Sequence, residues 1–419
     1  MQELLTLWSQ GAQASASMPT LAWSLVLAFA AAAGYLVQRY TGLPKVAGYS
    51  VVGAVAGFAG FADAAWPLRG NALFLLEMGI AVVLFEAGAR ISLRWFRHNP
   101  MVLVQSLLES ILTFGAVYWL LRQFDIAPGA AQPLAIVAVA ASPAVLTRVV
   151  MDTRAAGPVT ERAIVLSTLN TLYALTIGSA LAGLVDGGER ASLAQTIYPV
   201  FALLGLSLVV AALLGLAMRS ALRVMSPTSE NTSMLLLALI AASTALASLV
   251  GGSAALAALL AGLLLKQLNP RPWVWPRQLG TAASMLTMLM FVLVSTVAAN
   301  SDWSTAGVLL VLCLVGVRIL AKVTGTVLAS FGSGLQLSQA LWVGCAMLPM
   351  SSIALLLASQ FAATSSMHGA TITGVALPAI LLMEVVGAIA ATVALRRAGE
   401  ASKTGTRNEA GDSTRGGME

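Results

Sequence analysis

Apolar runs alternate with short loops rich in charge, Gly, Pro, Asn or Asp along most of the chain. A helix needs about 20 predominantly apolar residues to cross the hydrocarbon core of a bilayer. By that measure thirteen spans are expected, at roughly 18–37, 46–63, 71–89, 101–121, 131–150, 163–184, 197–218, 233–250, 252–266, 279–299, 304–328, 337–358 and 369–395. The eighth and ninth are separated only by Gly251-Gly252, so their division carries the count. Period-two alternation, the mark of a membrane β-barrel, is absent. The predicted fold class is therefore an all-α polytopic membrane protein.

Charge in the loops orients it. With thirteen spans, one set of loops holds Arg39, Lys45, Arg90, Arg94, Arg97, Arg154, Arg162, Arg219, Arg223, Lys266, Arg271, Arg277, Arg396 and Arg397. The other holds Arg69, Arg122 and Arg190. Basic loops stay cytoplasmic, so the N-terminus is expected outside and the C-terminus inside a bacterial-type inner membrane. Merging two spans would spoil this asymmetry.

Composition agrees. Of 419 residues, 58% are hydrophobic and 10% charged, and the mean hydropathy is +0.87. A soluble domain carries about 25% charge. The net charge of +6 belongs to the loops and does not suggest nucleic acid. Cys313 and Cys345 both lie in apolar runs and read as packing residues. Residues 1–17 lack the basic start and apolar run of a cleaved signal peptide. The expected organisation is a membrane domain over 1–398 and a polar, disordered tail over 399–419. No GxxxxGK[ST] stretch occurs, so a nucleotide-driven pump is disfavoured. No repeated pore loop points to a channel, and nothing calls for an enzyme, a cofactor or a metal.

Charges at membrane depth are costly and face a protein interior or a cavity. The candidates are Glu77 in span three, Glu109 in span four, Arg318 and Lys322 in span eleven, and Glu384 in span thirteen. Arg318 and Lys322 are four residues apart and share a helix face, so they must meet acids, carbonyl ends or water. Span five carries Ser142-Pro143 at its middle; span twelve carries Pro349, Ser351 and Ser352. A mid-span proline frees backbone carbonyls, which a bilayer tolerates only where protein or a wet cavity satisfies them. The two breaks lie seven spans apart, an odd number, so the broken spans run in opposite directions. Spans four to six and eleven to thirteen then form an inverted repeat, the pattern of a midplane site in secondary transporters. The hydroxyls of Ser142, Ser351 and Ser352 are candidate oxygen ligands.

Four stretches in order carry a family resemblance. LPKVAGYSVVGAVAG (43–57) is similar to LPxVxGYxxxGxxxG, and LLEMGIAVVLFEAGARISLRW (75–95) to ELGxxxLLFxAGLExxxxxLR. Lys322 in AKVTG is similar to a core lysine in a Lys-x-x-Gly setting, and MEVVGAIAATVALRRAGE (383–400) to ELxGPxxxxxALRxAGE. Together they resemble monovalent cation:proton antiporters of the Kef-type and sodium/hydrogen-exchanger superfamily. The resemblance implies a homodimer. It implies a mobile core (about 101–184 and 304–395) moving like an elevator against a scaffold (about 18–89 and 197–299), and exchange of one sodium or potassium ion against protons.

The departures from that pattern fall at the site. Where such antiporters carry an Asp in span six after Asn, Asp or Gln, this chain has Asn170-Thr171. Thr-Asp-Pro in span five is here Ala141-Ser142-Pro143, and Arg-Gly-Glu in span twelve is Met350-Ser351-Ser352. A threonine hydroxyl does not ionise near neutral pH, so Thr171 cannot alternate between a proton and a cation. Three sources of the exchangeable charge remain open. Glu109 or Glu384 supplies the carboxylate; or Lys322 carries the proton; or Lys322, Arg318 and half-helix N-termini hold an anion. Under the last, the chain is an antiporter-fold protein that carries another solute or transports nothing. Glu77 and Glu384 also have places in the family motifs, which favours structural roles for them.

Overall fold

The computed structural model describes residues 18–401, except 61–65, 69, 92, 94–95, 97–98, 183–192, 227–228, 269–276, 300, 302–304, 332, 351 and 366. Ser351 and the loop bases Arg69, Arg94, Arg97, Arg190 and Arg271 lie outside the described residues. All regular structure among the described residues is helical. The first helices are α1 (Met18–Thr41), α2 (Lys45–Phe58), α3 (Gly70–Arg90) and α4 (Met101–Gln123). A short pair follows, α5 (Pro128–Val139) and α6 (Pro143–Thr153), and then α7 (Pro158–Ala182), α8 (Leu193–Val224), α9 (Glu230–Val250), α10 (Ala254–Leu268), α11 (Arg277–Ala299) and α12 (Thr305–Leu328). A second short pair is α13 (Leu337–Ala346) and α14 (Ser352–Thr364), and α15 (Gly369–Arg397) closes the bundle.

Among the described residues, eight spans are long and apolar enough to cross a membrane, with Pro128–Thr153 taken as one of them. Shorter apolar helices stand beside them at Lys45–Phe58, Ala254–Leu268, Leu337–Ala346 and Ser352–Thr364. The chain is a multi-pass membrane protein. Gly251 ends α9 in the left-handed region, at φ 77°, and Gly252 N–H donates back to Ala247 O. This glycine stop separates α9 from α10.

Both short pairs are broken by proline. Pro143 cannot donate to the carbonyl four residues back and crowds it. The residue before a proline is pushed out of the helical region, and Ser142 is extended at φ −109°, ψ 95°. Pro143 then takes the first position of α6, where a missing N–H costs nothing. The second pair is interrupted over 347–351, around Pro349.

Small residues bring the helices close. At Gly53 and Gly57 of α2 a Cβ would lie 2.6 Å from Val292 O and 2.5 Å from Thr296 O of α11. This small-xxx-small face is therefore used within the chain. The Glu400 carboxylate accepts from Val159 N (2.8 Å) and Thr160 N (2.7 Å), capping the start of α7.

Candidate functional site

The two interruptions meet. Ser142 N–H donates to Pro349 O at 2.9 Å, so the breaks in α5–α6 and α13–α14 are joined through their backbones. Each carbonyl freed around the first break has a partner. Ala138 O accepts from Arg318 Nε (2.8 Å) and Ala140 O from Arg318 Nη2 (2.8 Å). Val139 O, the carbonyl that Pro143 leaves without its helical donor, accepts from Lys322 Nζ at 3.1 Å. Ala141 O accepts from Thr171 Oγ1 at 2.9 Å. From the second break, Leu348 O accepts from Arg318 Nη1 at 2.7 Å. The Arg318 guanidinium thus spans both breaks, at the carbonyl ends of α5 and α13, where partial negative charge favours a cation.

Glu109 of α4 faces Lys322, which lies one turn along α12 from Arg318. Its Oε1 accepts from Lys322 Nζ at 2.8 Å, and all three charged groups of the cluster, Glu109, Arg318 and Lys322, are fully buried. Thr113 Oγ1 donates to the same oxygen at 2.9 Å. The other oxygen, Oε2, accepts from the Asn170 amide. The Asn170 carbonyl oxygen in turn accepts from Ser106 Oγ and Ser110 Oγ, each at 3.1 Å. The close approach of α4 and α12 is made by Gly325, where a Cβ would lie 2.8 Å from Glu109 Cα.

Of the residues expected at the site, Asn170, Lys322, Glu109 and Arg318 form one buried network. Thr171 touches it through Ala141, and its hydroxyl also lies 2.9 Å from Ser167 O. Ser142 serves its own helix, because Oγ accepts from Val145 N at 3.3 Å as an N-cap. Ser352, the first residue of α14, is 1% exposed and its Oγ has no hydrogen-bond partner among the described residues. Glu384 is buried elsewhere, where α15 meets α11, and accepts from Ser295 Oγ at 2.9 Å. Glu77 lies apart from both, receiving a 3.3 Å hydrogen bond from Ser248 Oγ. No group of three or more His, Cys, Asp or Glu among the described residues forms a metal cluster.

Ser106, Ser110 and Thr113 were not anticipated as site residues. The signal was present: with Glu109 they recur at spacings of three and four on an apolar helix, which places them on one face.

A family model described as "Sodium/hydrogen exchanger, transmembrane" matches residues 25–396. Two solved structures of the sodium proton antiporter MjNhaP1 from Methanocaldococcus jannaschii are similar in fold. The one determined at pH 8 has a TM-score of 0.69 at 15% identity, covering 91% of this chain and 97% of that one. The other, an electron-microscopy structure, has a TM-score of 0.74 at 16% identity, covering 92% and 97%. No curated protein matches the chain by sequence. With the family model spanning the bundle from α1 to α15, the chain belongs to the transmembrane sodium/hydrogen exchanger family.

Proposed function

We propose that this protein is a proton-coupled antiporter of a monovalent cation, sodium or potassium, and that Glu109 and Lys322 replace the carboxylate missing at Thr171. One observation carries the reading. The Lys322 ammonium already occupies a cation's place, between the Glu109 carboxylate at 2.8 Å and the Val139 carbonyl at 3.1 Å.

The exchange then balances in charge. In one state Glu109 is ionised and Lys322 is protonated. In the other an alkali cation sits on the Glu109 carboxylate and Val139 carbonyl, and Lys322 has released its proton and moved aside as the neutral amine. Either occupant leaves the pair neutral, and Arg318 keeps a constant charge. The empty state strands a buried carboxylate, and the doubly occupied state adds an unpaired positive charge. Both are strongly disfavoured in a low-dielectric interior. Coupling of one cation to one proton follows from that penalty. Asn170, with Ser106 and Ser110 behind it, and Thr113 hold the carboxylate in place through the exchange.

The chain would work by elevator-type alternating access. Counting α5–α6 and α13–α14 each as one interrupted span gives thirteen spans, with N-terminus outside and C-terminus cytoplasmic. On this reading α4–α7 and α12–α15 are the moving core, and α1–α3 and α8–α11 the scaffold and homodimer side. The likeness in fold to the sodium proton antiporter MjNhaP1 supports sodium-proton exchange as the chemistry. An anion carrier finds less support, because every nitrogen of Arg318 and the Lys322 ammonium already has an oxygen partner.

Proteoliposomes carrying a trapped pH dye test the proposal. An imposed sodium or potassium gradient should change the internal pH, and Glu109→Gln should abolish the change. An internal pH indifferent to every alkali cation would refute antiport.

A further inference from the structure

A cavity of about 350 Å³, none of whose lining residues belongs to the Glu109 network, is lined by Glu77, Ser179, Ser253, Gln360 and Thr364 among others. Glu77 comes from α3 and Ser253 from the turn before α10, both in the proposed scaffold. Ser179 of α7 and Gln360 and Thr364 of α14 come from the proposed core. The lining thus joins the two bodies.

Its electrostatics are one-sided. Among the described lining residues Glu77 is the one formal charge, and no Lys, Arg or His is present. A carboxylate has about four acceptor positions. Glu77 receives one long hydrogen bond from Ser248 Oγ, whose single proton is shared with Thr244 O at 3.1 Å. The C-terminal end of α14 (Thr364) borders the cavity and adds partial negative charge. The positive N-terminus of α10 also reaches it. That end is already answered by Ser253, whose Oγ accepts from Leu256 N at 3.4 Å. Neutral oxygens stand nearby: Gln360 Oε1 accepts from Ser179 Oγ at 3.3 Å and keeps a free lone pair.

The geometry points to a second monovalent-cation site here, with Glu77 supplying the charge and Gln360, Ser179 and the C-terminal end of α14 the neutral oxygens. A single carboxylate suits an alkali ion; divalent ions are held by several carboxylates or a dense oxygen cage. This inference rests on the cation-transport reading and extends it. A bound ion would bridge core and scaffold and stand ready for the Glu109 site.

The test separates the two sites. Thermal unfolding of the full-length protein is followed in sodium or potassium chloride, replaced by choline chloride at constant ionic strength. With the central carboxylate neutralised by Glu109→Gln, a cation-dependent rise in Tm should persist. Adding Glu77→Gln should remove it, and adding Gln360→Leu should weaken it. In vesicles with Glu109 intact, Glu77→Gln should raise the half-saturating cation concentration by roughly fivefold or more. The vesicle assay keeps the test valid if the double variant does not fold. A cation response of Tm that survives loss of Glu77, or an unchanged half-saturation in transporting vesicles, overturns the cavity site and leaves the antiport proposal standing. A Glu77-dependent rise in Tm, where the wild-type protein moves no cation in vesicles, upholds the cavity site and removes the antiport proposal.

Discussion

Among the described residues, two turns of one helix carry the two fully buried positive charges and handle them differently. At Arg318 the guanidinium is fixed by three carbonyls, two from the first break and one from the second. One turn on, the Lys322 ammonium has one carbonyl and one carboxylate. A guanidinium is always charged and binds through a rigid fork; an ammonium is a compact charge that can give up its proton. The first therefore suits a clamp on freed backbone. The second suits exchange, since its main partner is itself an anion that an alkali ion can satisfy. Two like charges on one helix face are compatible only because their oxygen partners are separate.

The largest way to break that contrast is to remove the anion. Glu109→Gln should lower cation-driven proton flux by roughly 100-fold or more, because a buried charge without its partner is worth several kcal/mol. Flux within a few-fold of wild type would move the exchange to another residue. Lys322→Arg comes next. It keeps the charge and cannot deprotonate, so dye-reported exchange should be lost while the protein still purifies folded. Continued exchange would show that Lys322 carries no proton.

On the clamp side the loss should be in stability. Arg318→Met leaves three buried carbonyls without donors and should cost about 3 kcal/mol or more, read as a fall in Tm. Gly325→Ala should cost about 1–3 kcal/mol by overpacking, because its Cβ would meet the Glu109 backbone. It should also slow exchange by displacing the carboxylate. The smallest expected effect is that of Thr171→Val, about 1 kcal/mol for one buried hydrogen bond. An exchange deficit as deep as that of Glu109→Gln would give Thr171 the role assigned here to the acid.

The helix interruptions at Pro143 and Pro349 were legible in the sequence, because proline acts on its own backbone. So was the glycine stop at Gly251. The choice among buried acids was not. Glu109 and Glu384 are each a lone carboxylate in an apolar helix; a motif place favoured a structural role for Glu384, and nothing along the chain gave Glu109 its partner. Glu109 finds a lysine 213 positions away, whereas Glu384 finds a serine hydroxyl on α11. Ser142 was expected to offer an oxygen to an ion, and the local N–H of Val145 already donates to that oxygen.

Sequence by itself determined the solvent, the helical class and the points where two helices had to stop. Those properties follow from the summed apolarity of a segment and from the ring of a single proline. Tertiary structure decided which carboxylate met which base, and that the guanidinium of Arg318 would bridge both interruptions. Such pairings depend on how each helix is rotated against its neighbours, a quantity set by packing across the whole bundle and written in no single stretch of chain.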